Sequence, residues 1–236
     1  MGVLPDRVIQ CPNCSTRLRL PVINETIGMT PARRWVDGYT QYPLVTEPPV
    51  FSVCPECSNP FWTADAPVVG TFSFTSESGS DLQWESLPYV PDPSYGSIFR
   101  AISGGAAARK PIGHEIYLRL LGMQKYNHGR RSDIHYTIAC KTIPPEGTEV
   151  STDSIPPDVE ENYETLVSLL SAEKGLEFED SRGYFLLMCA EVYREMGRFP
   201  SSLQALDAAS REAPMGKHAD AVKSLSSSKR AGIYLL

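Results

Sequence analysis

The chain has 236 residues, 42% hydrophobic and 21% charged, which fits a globular protein with a sizeable core and excludes wholesale disorder. Its net charge of −6 is unevenly placed: residues 141–180 hold eleven acids against Lys141 and Lys174, a local −9 that leaves the remainder at only +3, too little for a broad nucleic-acid surface. No run approaches the roughly 18 apolar residues of a membrane span. Residues 1–7 lack the basic and apolar regions of a signal peptide, and six cysteines are too few for a secreted disulfide scaffold, so a reducing cytoplasm is the expected compartment.

In chain order, Val8-Ile9-Gln10 leads into a first knuckle, Cys11-Pro12-Asn13-Cys14, and Arg17-Leu18-Arg19-Leu20 follows with the alternation of a strand. A second knuckle of the same form is Cys54-Pro55-Glu56-Cys57. Each pair presents two thiolates from one tight turn, and two such turns make the four-sulfur tetrahedron that zinc prefers. Cys11, Cys14, Cys54 and Cys57 are therefore the expected metal ligands, with zinc as the expected ion and iron in a rubredoxin-like cage as the alternative. A complete four-cysteine shell leaves no open position for water, which argues for a structural rather than a hydrolytic metal.

The 39 residues between the knuckles are long for a minimal zinc ribbon, and Pro21, Pro31, Pro43, Pro48 and Pro49 predict loops and short strands there. Within the insert, Arg33, Arg34, Trp35, Asp37 and Tyr39 form either a recognition patch or, more simply, a local arrangement. In the simpler reading Asp37-Gly38 turns, Trp35 packs on the metal unit and Asp37 pairs with an arginine. After the second knuckle, Phe61-Trp62 and residues 68–74 read as strands.

A Ser-, Gly- and Pro-rich stretch follows, with a short helix expected around 94–103 and ended by Gly104-Gly105. A second helix is expected over 112–127, its apolar face drawn from Ile112, Ile116, Leu120 and Met123 and widened by Tyr117 and Leu121. Helical patterns return at 159–172, 182–196, 200–212 and 217–227, with Tyr163, Leu166, Val167 and Leu170 as one stripe and Gly197 as a turn residue. The fold class expected is α+β: a zinc-ribbon-like unit over 1–75, a mixed connecting region over 76–141, an acidic Pro-rich linker over 142–158 and a mainly helical unit over 159–236.

Residues 183–216 resemble one 34-residue tetratricopeptide repeat. Small Ala190, aromatic Tyr193, Gly197, aromatic Phe199, small Ser202, Leu206, small Ala209 and Pro214 fall at the repeat's positions, whereas Cys189 stands where Leu is usual. The whole arrangement is similar to a group of uncharacterised bacterial proteins that join two N-terminal CPxC knuckles to C-terminal TPR-like helices. That resemblance implies an architecture and no established activity.

Chemistry beyond the knuckles is sparse. His114, His128, His135 and His218 stand apart from one another, and Cys140 and Cys189 lack a nucleophile motif and read as buried thiols. Phosphate-binding loops and the GxSxG elbow are missing from the sequence. The function expected is a zinc-stabilised interaction or scaffold protein without catalytic activity, acting on a protein partner or on itself. The alternatives are nucleic-acid binding through Arg17, Arg19, Arg33 and Arg34 with Trp35 and Tyr39, or an enzyme with a site between the zinc unit and the helices, around Trp84 to Arg131. The five basic and six acidic residues of 1–67 give the nucleic-acid reading little charge to work with.

Overall fold

A computed structural model describes residues 4–23, 33–41, 48–73, 84–108, 110–141, 155–172, 182–212 and 216–236. The fold is α+β, with small antiparallel sheets around the cysteine cluster toward the N-terminus and a helical region after them. The chain divides into two compact units, one of residues 1–30 with 42–106, the other of 31–41 with 107–236. Most of the linker expected at 142–158 lies outside the described residues.

In the first unit, β1 (Asp6–Gln10) and β2 (Arg17–Leu20) form an antiparallel hairpin whose loop is the first knuckle, with Ile9 opposite Leu18 and Gln10 opposite Arg17. The second knuckle closes an equivalent hairpin between strands Phe51–Val53 and Pro60–Trp62. Strand Val68–Phe72 pairs with the other side of β1, through a bulge at Val8/Ile9, giving the order β2, β1, Val68–Phe72. The free side of β2 is covered by an irregular segment, where Arg19 N–H donates to Pro88 O at 2.9 Å and Val90 N–H to Arg19 O at 2.8 Å. Strand Val68–Phe72 takes the six-membered ring of Trp84 against Gly70, where any side chain would overlap that ring. Ile9, Leu18, Leu20, Phe61, Ala66 and Val90 pack around Cys11 and Cys54, so the knuckles belong to the core. Helix α1 (Tyr95–Ser103) is N-capped by Ser94, whose hydroxyl accepts from Ser97 N–H at 3.2 Å.

The second unit contains helices α2 (Ile112–Asn127), α3 (Tyr136–Lys141), α4 (Pro157–Ser171), α5 (Arg182–Glu195), α6 (Phe199–Glu212) and α7 (Lys217–Ser227). Helix α2 packs on α4, α4 on α5, α5 on α6 and α6 on α7. Gly197 joins α5 to α6 at φ 72°, a left-handed conformation open to glycine at little cost, and Arg198 N–H returns to Tyr193 O at 2.8 Å. Ala190, Ser202 and Ala209 are fully buried, as the close approach of paired helices requires. The expected stripe Tyr163, Leu166, Val167 and Leu170 is buried throughout.

Helix α2 corrects the expected face. Ile112 and Tyr117 are 38% and 36% exposed, whereas Leu118 and Asn127 are fully buried beside Ile116 and Met123. Leu118 lies about 200° round the helix from Ile116, so α2 is enclosed on more than one side and no single stripe describes it.

Two elements carry no strong local signal. Strand Arg131–His135 pairs in parallel with Ile233–Leu235 near the chain end. The other flank of the latter meets a small hairpin of Arg33–Arg34 and Thr40–Gln41, through Val36 N–H to Tyr234 O at 3.0 Å and Leu236 N–H to Arg34 O at 2.8 Å. Trp35 therefore packs with Val36, Ala221, Leu225 and Ile233, which corrects its expected place on the metal unit. Its indole N–H donates to Ser132 O at 3.1 Å.

Candidate metal centre

Each knuckle is held by the same backbone pattern. Cys11 N–H donates to Thr16 O at 2.8 Å and Ser15 N–H to Cys11 O at 2.9 Å; Cys54 N–H donates to Asn59 O at 2.9 Å and Ser58 N–H to Cys54 O at 2.9 Å. In both, the serine after the second cysteine has positive φ, 60° at Ser15 and 58° at Ser58. That left-handed residue reverses the chain immediately, so both cysteines of a knuckle face the same side.

The two knuckles bring Cys11, Cys14, Cys54 and Cys57 together, with all four sulfurs within 4.8 Å of one another. Sγ of Cys11 lies 3.8 Å from that of Cys57, and Sγ of Cys14 3.7 Å from that of Cys54. A tetrahedral ion with metal–sulfur bonds of about 2.3 Å demands sulfur–sulfur edges of about 3.8 Å. All four cysteines are free thiols. Four cysteines are thus positioned to bind a metal ion, and the all-sulfur set suits a soft or borderline ion rather than calcium or magnesium.

The four cysteines differ in environment. Cys11 and Cys54 are buried, Cys57 is half-buried and Cys14 is exposed. Thr16 Oγ1 is 3.1 Å from Cys14 Sγ, and this hydroxyl is the main reason the Cys14 thiol is lowered from 9.0 to about 6, with the Thr16 backbone N–H adding to it. The thiolate form, which is the ligand form, is thereby favoured at the exposed position.

The other residues singled out in the sequence do not join this cluster. Arg19 is buried, its guanidinium between the rings of Phe72 and Tyr89 at 4.8 and 4.3 Å. His218 Nε2 meets Val36 O at 2.7 Å, and His135 Nδ1 accepts from Thr137 N–H at 3.3 Å. Among the described residues, the four cysteines are the group of three or more metal-capable side chains within ligand reach of one another. Cys189 is buried, which raises its thiol, and Cys140 is half-buried beside the Trp35 cluster.

Asp37 pairs with an arginine, but the partner is the distant Arg131, at 2.7 Å, rather than a neighbour in the insert. Arg131 also stacks 3.9 Å from the ring centroid of Tyr39. Around this pair lies a buried polar cluster that periodicity did not reveal: Asn127, Tyr163, Glu191, Arg194 and Glu195. Its one sequence signal is the occurrence of three charges at Glu191, Arg194 and Glu195 toward the end of a helix that is mostly apolar after Arg182.

Compared with protein-family models, curated proteins and solved structures, the chain matches none. Among the described residues, no helix is long and apolar enough to cross a membrane.

Proposed function

We propose that this chain is a zinc-stabilised protein-interaction or scaffold protein without catalytic activity. The observation that carries the reading is the convergence of four thiols from two matching knuckles, two of whose edges, 3.8 and 3.7 Å, suit a closed tetrahedral shell. Cys11, Cys14, Cys54 and Cys57 would hold the ion, which when bound supplies a crosslink between the two hairpins. Zinc is favoured over iron because it needs no redox partner and forms the usual structural four-cysteine centre. The knuckles and the α5–α6 hairpin also support the likeness to bacterial proteins with paired CPxC motifs and TPR-like helices.

Interaction is supported by apolar side chains left outside the core. Val68 is 57% exposed on strand Val68–Phe72, which lies at the edge of its sheet, and Tyr184 is 51% exposed on α5. Light scattering over a wide concentration range tests this, with V68D and Y184D variants beside the wild type. Self-association, or a stable co-purifying protein, that is lost on substitution supports the reading. A monomer that behaves identically in all three forms, with no partner, contradicts it.

The nucleic-acid reading keeps exposed Arg17, Arg33 and Arg34, but Arg19 and Trp35 are buried. Retention on DNA or RNA that falls steeply with salt would favour it instead.

A further inference from the structure

Among the described residues, the buried charges around Asp37 and α5 do not cancel. Asp37, Glu191 and Glu195 are acidic, whereas the buried cations beside them are Arg131 and Arg194. Each guanidinium already has its own carboxylate. Arg131 Nη2 donates to Asp37 Oδ2 at 2.7 Å, and Arg194 grips Glu191 through Nε to Oε2 at 2.8 Å and Nη2 to Oε1 at 2.5 Å. The remaining Arg194 nitrogen donates to the carbonyls of Arg230 and Gly232, at 2.5 and 2.8 Å.

Glu195 is left with neutral donors. Tyr163 O–H donates to its Oε2 at 2.7 Å and Asn127 Nδ2 donates to the same oxygen at 2.9 Å, while Oε1 has no hydrogen-bond partner among the described residues. The Asn127 amide also reaches Asp37 Oδ2 at 3.4 Å, so a charge on Glu195 would face that of Asp37 across one amide. Arg130, from the turn after α2, gives its Nη1 to Asn127 Oδ1 at 3.2 Å rather than to the carboxyl. Arg130 and Tyr126 also act on the cluster through Tyr163, and Tyr234 through Arg194. Helices α6 and α7, which also pack on α5, bury only uncharged side chains. Arg194 favours the ionised form of Glu195 through space, but its hydrogen bonds go to Glu191 and to carbonyls. A buried carboxylate with no cation hydrogen-bonded to it among the described residues is costly, and taking up a proton is the usual resolution.

We propose that Glu195 is a neutral carboxylic acid in the folded helical unit at neutral pH, and that losing its proton sets a buried charge against those of Glu191 and Asp37 and so destabilises the helical unit, making it a pH-sensitive latch. Burial, then the charges of Glu191 and Asp37, outweigh the opposing Arg194 charge and Tyr163 hydrogen bond and push its carboxyl from 4.5 up to about 8. The raised value fixes the sign: the stabilising contribution is complete below about 4.5 and is lost as pH rises toward and through about 8.

Two measurements on the full chain test this. NMR titration of isotopically labelled glutamate carboxyl carbons should show one carboxyl titrating far above the others. Urea denaturation followed by helical circular dichroism should give a midpoint that falls from pH about 4.5 to about 8, less so in E195Q. Glutamate carboxyls that all titrate in the ordinary acidic range overturn the proposal without any need for the variant to fold. A folded E195Q that keeps the wild-type pH slope overturns it too.

Discussion

Ser15 and Ser58 occupy equivalent positions in the two knuckles and share one left-handed backbone conformation, φ 60° and 58°. Each sits directly after the second cysteine of its CPxC motif, and each donates its N–H to the carbonyl of the first at 2.9 Å. The duplication seen in the cysteines therefore extends to the backbone that aims them.

Glycine accepts this conformation freely, whereas a β-branched residue does not. S15G and S58G should change stability by less than about 0.5 kcal/mol, because relief of strain offsets the added freedom of the unfolded chain. S15V and S58V should each cost about 1–2 kcal/mol. Urea denaturation at a fixed metal concentration checks both, and equal losses for Gly and Val would refute the backbone argument.

Gly70 is required for a different reason. A Cβ there would overlap the six-membered ring of Trp84, which lies directly on it. G70A should expel the indole, shift its fluorescence to longer wavelength and destabilise the first unit by about 1–3 kcal/mol, as overpacking does. An unchanged spectrum would show that the ring is not held there.

The Asp37–Arg131 pair is buried, with side-chain exposures of 0% and 6%. D37A leaves Arg131 without its partner in the interior and should cost about 3–5 kcal/mol. D37A/R131M, which removes both charges, should recover a large part of that loss. A double variant no more stable than D37A would mean that the pair matters through packing rather than charge.

Ala190 is fully buried on α5, where it packs among Leu187, Leu206, Ala219 and Val222. A190L should lower stability by about 1–3 kcal/mol, while the exposed control Q204A should stay within about 0.5 kcal/mol. Equal effects of the two would remove the argument for close helix approach.

Local signals accounted for much of this architecture. The paired CPxC motifs announced the cluster, and Gly197 marked the turn from α5 to α6 where its φ of 72° is needed. Helix α2 spans the expected 112–127, opened by Pro111, yet its buried side chains differ: Leu118 is enclosed on another side of the helix, and Asn127 is held inward by Glu195. Strand pairing between Arg131 and Ile233, like the packing of Trp35 on Ala221 and Leu225, joins residues far apart in sequence and has no local pattern to announce it. The Glu195 cluster was hidden for a related reason. Charged residues in a helix read as a solvated face, and only tertiary contacts reveal that these are buried.

Metal content of the chain purified without added metal, beside a C11S/C54S double variant, tests the central claim most directly. The account predicts one zinc per chain in the wild type, with metal and the folded hairpins of the first unit lost together in the variant. Iron in place of zinc, or a metal-free wild type whose first unit survives both substitutions, would contradict it.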